Sequence, residues 1–182
     1  MILRTATLSD LDAIMEIEKA SFIPQIQEDR EVFKQRILRC PELFLVFEQE
    51  GQTFNAVAGY LCAEIMNKIP QTAQELRLGH LPSDMTEVWD KGDRPLIYIS
   101  SFALLPKYRG GGNGRKMWQA SMKYFKDHFS PQSLLLLVNE VWEGAKHIYS
   151  DSGFETVRIF ENFFPCEDDG FSNGILMQNL LK

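Results

Sequence analysis

The most constraining feature of the sequence is a junction. Residues 96–105 form a nearly unbroken apolar run, four glycines crowd the next nine positions, and an amphipathic helical pattern follows at once. A continuous apolar run of that length suits a strand covered on both faces. The spacing of Trp118, Met122, Phe125 and Phe129 predicts a helix over about 112–128 that lays one face on that strand. A strand that passes through glycines into a helix commits the chain to an α/β sheet with helices packed against it.

The flanking sequence fits the same plan. Strands are expected at 2–6, 43–47, 56–65, 134–138, 156–160 and 175–181. Ser9 with Asp12 reads as a capping box that opens a helix along Leu11, Ile14, Ile17 and Glu18 toward Phe22. Phe33, Ile37 and Cys40 mark a second helix, which Pro41 stops because proline has no N–H and clashes with the preceding turn. Glu48 to Gln52 is a polar turn between two antiparallel strands, and Val141, Ala145 and Ile148 predict a short helix ending near Ser150. Residues 66–95 hold three prolines and no sustained period. A loop that long inside a domain is uncommon unless it is functional, so a cap over a substrate is expected there. Without internal repeats or a linker, 1–182 reads as one domain.

Nineteen basic residues against twenty-five acidic ones give a net charge of −6, the wrong sign for a nucleic-acid partner. No apolar stretch approaches the roughly 20 residues of a membrane span. The N-terminus shows no cationic and apolar leader, so a cytoplasmic compartment is expected, as a monomer or homodimer. Cys40, Cys62 and Cys166 lie far apart with no C-x-x-C, so reduced thiols are expected and no metal site.

The glycines carry the chemistry. A helix N-terminus offers unpaired N–H groups and about half a positive charge, and glycines let a pyrophosphate approach that backbone. A phosphate-binding Gly-Lys-Ser/Thr loop is excluded because that tripeptide is missing, and a dinucleotide G-x-G-x-x-G fails because its third glycine falls on Arg115. What remains is Arg109-x-x-Gly112-x-Gly114, followed downstream by Ala145-Lys146-His147-Ile148-Tyr149 and Gly153-Phe154. In these segments and their order the chain resembles the GCN5-related N-acetyltransferase superfamily. That resemblance covers essentially the whole chain and implies a mixed, mostly antiparallel sheet of about seven strands with helices on both faces. It also implies acetyl-CoA as acyl donor to a primary amine by direct attack in a ternary complex.

By the same resemblance, the backbone of Phe102, Ala103 and Leu104 would pair with the pantetheine arm, and Arg109, Gly110, Gly111, Gly112, Asn113, Gly114 and Arg115 would cradle the pyrophosphate. Lys107 and Lys116 would reach the 3′-phosphate or remain surface charges. Where the family often has an asparagine that holds the pantetheine, this chain has Trp142, and Asn139 is the candidate substitute.

Acyl transfer needs a neutral amine, a donor to the oxyanion and a proton for the leaving thiolate. Tyr149 matches the family's general acid, and a backbone N–H near Phe102 its oxyanion donor. Cys40-Pro41-Glu42-Leu43 with Phe47-Glu48 and Gly51 is similar to a segment of arylalkylamine (serotonin) N-acetyltransferases. Their paired strand histidines fall on Tyr98 and Ser100 here, neither a good base at neutral pH. Glu64, His80, Glu87, or a water chain through Tyr98 and Ser100, remain as routes for the proton. The acceptor this implies is a small amine of arylalkylamine or polyamine type. Protein N-termini or lysines are the alternative acceptor, and a non-catalytic CoA-binding module the alternative class.

Overall fold

The structure, a computed structural model, describes residues 1–49, 57–76 and 94–181. Residues 50–52 of the expected polar turn, the start of the expected strand at 56, and the part of the insert that carries His80 and Glu87 lie outside the described residues.

Seven strands form one sheet: β1 Ile2–Thr5, β2 Phe44–Glu48, β3 Val57–Met66, β4 Leu96–Leu104, β5 Ser133–Asn139, β6 Glu155–Pro165 and β7 Phe171–Leu180, in the order β1-β2-β3-β4-β5-β7-β6. The pairing of β4 with β5 is parallel and every other pairing is antiparallel. The helices are α1 Leu11–Ser21, α2 Arg30–Arg39, α3 Asn113–Phe129 and α4 Glu143–Asp151. This is the mixed, mostly antiparallel sheet with helices on both faces that the resemblance implied.

Strand alternation distributes the core to two layers. Leu45, Phe47, Leu61, Ile97 and Leu136 meet Trp118, Met122, Phe125 and Phe129 of α3 on one face. Phe44, Val46, Tyr60 and Cys62 meet Ile14 and Ile17 of α1 and Phe33 and Ile37 of α2 on the other. No helix among the described residues is long and apolar enough to cross a membrane.

Three boundaries differ from the sequence reading. The capping box belongs to Thr7 and Asp10, two residues earlier than Ser9 and Asp12, and it caps a short 3-10 turn that leads into α1. Asp10 is buried under the Arg4 guanidinium, which fixes its carboxylate where Thr7 N–H can reach it, whereas Asp12 is exposed and pairs with Arg30. Cys40 lies just past α2, and the buried face of that helix includes Arg36. β6 runs on to Pro165 because Asn162 takes a left-handed φ of 53° inside a register irregularity, so the hairpin with β7 resumes at Phe164 and Ser172. The described part of the insert is the end of β3, a short loop and one 3-10 turn at Ala73–Leu76.

Candidate active site

The two central strands part company. β4 and β5 pair only from Leu96 to Ile99 against Ser133 to Leu136. Beyond that point β4 continues to Leu104 against β3 alone, and β5 continues to Asn139 against β7 alone. One side of the β4 backbone over 100–104 is therefore left without a strand partner, in the middle of a sheet.

A bulge sits at the mouth of this split. Cys62 pairs with Ser101 and Ala63 with Ile99, so Ser100 is an extra residue on β4. One inserted residue reverses the alternation of everything after it. Ile97 and Ile99 enter the core on the α3/α4 face before the bulge, and Phe102 and Leu104 enter it after. Ser100 and Ser101 consequently both turn toward the α1/α2 side, where Ser100 meets Arg36 and Ser101 meets Tyr60.

The glycine loop opens beside the split. Gly110, Gly111 and Gly112 have φ of 80°, 57° and 76°, three successive left-handed residues that any side chain would strain by about 1–2 kcal/mol each. A Cβ built on any of the three meets nothing within 4 Å, so the space before the α3 N-terminus is open. The N–H groups of Gly114 and Arg115 find no acceptor among the described residues. That arrangement fits a pyrophosphate. Gly114 has no left-handed φ, and a Cβ built there would stand 3.7 Å from Ile148 Cδ1, an ordinary contact, so neither backbone nor helix packing demands glycine at that position.

A single cavity of about 1650 Å³ joins these parts. It exceeds the ~300–1,000 Å³ usual for one small ligand. On the α3/α4 side its wall holds Gly110, Gly112, Gly114, Ala145, Ile148 and Tyr149, and on the α1/α2 side Glu18, Glu28, Arg36, Glu64, Tyr98 and Ser101. The cavity thus passes through the sheet at the split, with room for two reactants that meet from opposite faces.

Tyr149 stands at the junction. Its ring packs on Trp118 with centroids 4.6 Å apart and beside Phe154, its hydroxyl makes no hydrogen bond among the described residues, and the residue lines the cavity. Burial pushes its phenol well above the ordinary value, so it carries its proton throughout the neutral range. A phenol in that state can give up a proton and cannot act as a base.

The acceptor side is a buried polar cluster. Arg36 from α2 lies 2.7 Å from Glu64 on β3 and 3.6 Å from Glu28, and it donates to Ser100 Oγ at 3.3 Å. Glu18 from α1 accepts the hydroxyl of Tyr60 and, at 2.8 Å, the N–H of Glu28. Burial raises the Glu18 carboxyl, against the lowering by Tyr60. Cys62 is pushed up to about 11 by burial, an inert thiol. Three carboxylates around one guanidinium favour an incoming ammonium group.

The residues singled out from the sequence occupy varied places. Phe102, Ala103, Leu104, Arg109, Gly110, Gly112, Gly114 and Arg115 line the cavity with Tyr98, Ser100 and Tyr149. Gly111 completes the left-handed run, and Asn113 turns its amide back to Tyr108 O. The Arg109 guanidinium holds Leu104 O and Ser21 Oγ, so it braces the loop on the end of β4. Lys107 lies over the Tyr108 ring. Asn139 is not on the cavity wall: its Oδ1 accepts Val141 N–H at 3.1 Å and forms the turn into α4. Trp142, in the place where the family often has asparagine, is packed between Phe22 and Phe164. Ser100 donates to Cys62 O, and burial beside Glu64 raises Tyr98 far above its usual value, so neither is arranged to take a proton. Arg36, Glu28, Tyr60 and Ser101 were not singled out. The one signal for them is a charge within an apolar helical stripe, Arg36 three residues after Phe33 and Glu18 four after Ile14.

The sequence model of the Acetyltransferase (GNAT) family matches residues 11–154. The chain belongs to that family. It is an N-acetyltransferase, and acetyl-CoA is its acyl donor. An N-alpha-acetyltransferase of Sulfolobus acidocaldarius is 27% identical over 169 residues, covering 93% of this chain and 88% of the relative. One of Sulfurisphaera tokodaii is 24% identical over 172 residues, covering 93% and 89%. The ribosomal-protein-S18-alanine N-acetyltransferase from Escherichia coli shares the fold, with a TM-score of 0.68 at 17% identity over 100% of this chain and 94% of that one.

Proposed function

We propose that this acetyltransferase acylates the α-amino group of a peptide or protein N-terminus, by direct attack in a ternary complex. The observation that carries the reading is the cavity that passes through the split sheet. Beyond the sheet its lining draws on three separate segments: the linker that carries Phe22, Gln25 and Ile26, the loop from Asn67 to Leu76, and the stretch of β6 from Glu161 to Pro165. A cavity lined by so many separate segments suits a chain end better than a compact amine. The N-alpha-acetyltransferases similar to this chain over nearly its full length support the same acceptor. The carboxylates of Glu18, Glu28 and Glu64 suit an ammonium of any size. A small amine, the acceptor expected from residues 66–95 as a cap, therefore stays the second reading.

In this proposal acetyl-CoA lies along the free side of β4 with its pyrophosphate at Gly110 to Arg115. The main chain near Phe102 faces the developing oxyanion, and Tyr149 gives its proton to the thiolate. Release of CoA from acetyl-CoA, read over a panel of short peptides, α-amino-blocked lysine peptides, arylalkylamines and polyamines, tests the acceptor. Turnover confined to free α-amino peptides is expected. Turnover of the small amines alone would overturn the peptide reading.

A further inference from the structure

The reaction must dispose of one proton from an amine that arrives charged, and the two groups expected to start its path, Tyr98 and Ser100, are not arranged to accept it. A different path is built into the bulge. Ser101 lines the cavity, and its Oγ is 2.7 Å from the hydroxyl of Tyr60. Tyr60, fully buried on β3, donates to Glu18 Oε2.

The direction of this chain follows from counting hydrogens. A phenol has one proton, and Tyr60 gives it to Glu18, so Ser101 must be the donor to Tyr60. The remaining lone pair of Ser101 is then free to face the cavity as an acceptor. Among the described residues this is the one hydroxyl at the split that leads through a second hydroxyl to a carboxylate. Its existence depends on the bulge, because without the extra residue Ser101 would point to the α3/α4 face.

We propose that Ser101, Tyr60 and Glu18 form a proton relay that deprotonates the acceptor amine. The proton on nitrogen passes to Ser101 Oγ, the proton of Ser101 passes to Tyr60 Oη, and that of Tyr60 passes to Glu18 Oε2. Each hydroxyl gains one proton and loses one, and Glu18 becomes a carboxylic acid. The nitrogen lone pair then forms the amide bond to the acetyl carbon while the carbon–sulfur bond breaks. The thiolate takes its proton from Tyr149, the amide nitrogen gives up its second proton to restore the phenol, and Glu18 releases the first to water in the cavity that it lines.

Glu18 suits the role electrostatically. Burial and the neighbouring Glu28 carboxylate raise its pKa, while Tyr60, the Glu28 N–H and Arg36 lower it, with a net rise. Cys62 and Glu64 also face the cluster from β3, and both Glu28 and Arg36 face it from the linker and α2. A carboxylate of raised pKa is a stronger proton acceptor than an ordinary one. The relay is open when Glu18 is ionised and closes as pH falls through its raised pKa.

The inference rests on acetyl transfer to an amine and not on which amine, so the test compares variants with the wild type on one acceptor that turns over. Ser101→Ala removes the entry, Tyr60→Phe the middle, and Glu18→Gln keeps the Glu28 N–H contact while its amide donates to Tyr60 and reverses the chain. Each is expected to lower kcat by about 10²-fold at pH 7, with acetyl-CoA affinity unchanged. The deficit should shrink once pH passes the pKa of the acceptor used, about 7.7–8.0 for an α-amine and about 10 for a primary alkylamine, because the amine then arrives neutral. Ser101→Thr should restore the rate, and the double variant Ser101→Ala/Tyr60→Phe should be no slower than either single one. Ser101 is only half-buried, so its variants keep the proposal testable if Tyr60→Phe folds poorly. Wild-type rates, or a deficit that stays constant as pH passes the pKa of the acceptor used, would overturn the relay while leaving the acceptor class untouched.

Discussion

Gly112→Asp is the sharpest probe of the nucleotide end of the site, because its effects on stability and binding separate by size. Gly112 has φ of 76° at the position just before α3, and a Cβ there meets nothing within 4 Å. The folding penalty is then the left-handed backbone alone, about 1–2 kcal/mol for a general side chain and less for aspartate, which tolerates that region. A domain stable by ~5–15 kcal/mol survives such a loss. The binding penalty is larger. An aspartate about 5 Å from one phosphate charge repels it by about 1 kcal/mol in water and about 3 kcal/mol at an effective dielectric of 20. A pyrophosphate carries two such charges, so CoA affinity should fall by about 2 kcal/mol, roughly 30-fold, if the site is fully hydrated, and by about 6 kcal/mol, on the order of 10⁴-fold, if it is well shielded. Gly112→Ala carries the strain without the charge and should lose far less. Calorimetry of CoA binding at two salt concentrations, beside thermal unfolding, decides the matter, and the Asp deficit should narrow as salt rises. Unchanged CoA affinity in a folded Gly112→Asp protein would refute the placement of the pyrophosphate.

Tyr149→Phe should keep CoA affinity within about threefold and lower kcat by about 10²-fold, since it removes one hydroxyl proton from a ring whose packing is retained; wild-type kcat by steady-state assay would return Tyr149 to a packing role. Gly59→Ala should destabilise by about 1–3 kcal/mol or more in urea titration, because its Cβ would stand 2.5 Å from Met117 Cε and 2.6 Å from Ala103 O, and the latter is backbone. Glu18 should leave a mark on stability as well. Its folded pKa lies above the unfolded value of about 4.3, so its favourable contribution is present at pH below that value and is lost as pH rises through the folded pKa. Unfolding free energies of Glu18→Gln relative to the wild type should therefore improve between pH 4 and pH 7, and a flat difference would contradict the raised pKa.

The parts of this molecule that repeat a period were legible before any coordinates. Trp118, Met122, Phe125 and Phe129 recur at helical spacing and all are buried against the sheet. The glycines stood out in the sequence as a place where a backbone can be approached closely, but that Gly110, Gly111 and Gly112 are all left-handed appears only in the structure. What stayed hidden shares one cause. Arg36, Glu18, Tyr60 and Ser101 gain their roles from partners on other elements, across sequence separations that no local pattern encodes. The bulge at Ser100 illustrates this most simply: no glycine or proline marks it, yet it reverses the facing of every residue after it. Asn139 was assigned to pantetheine by its place at the end of β5, but the need of Val141 N–H for an acceptor at that turn takes its side-chain oxygen.

The unpaired side of β4 means that the protein by itself is a sheet with a missing partner. Over 100–104 that side of β4 has no strand to bond to; Leu104 O is taken by the Arg109 guanidinium, and the other main-chain groups there have no strand partner on that side. An acyl donor that lies along them acts as a transient eighth strand, and anything that binds the native state alone adds RT ln(1 + [L]/Kd) to its stability, about 2.7 kcal/mol at a hundredfold excess over Kd. Folding and acyl-donor supply are thereby coupled. Native stability should therefore rise with acetyl-CoA or CoA concentration, as thermal unfolding read across a CoA titration would show.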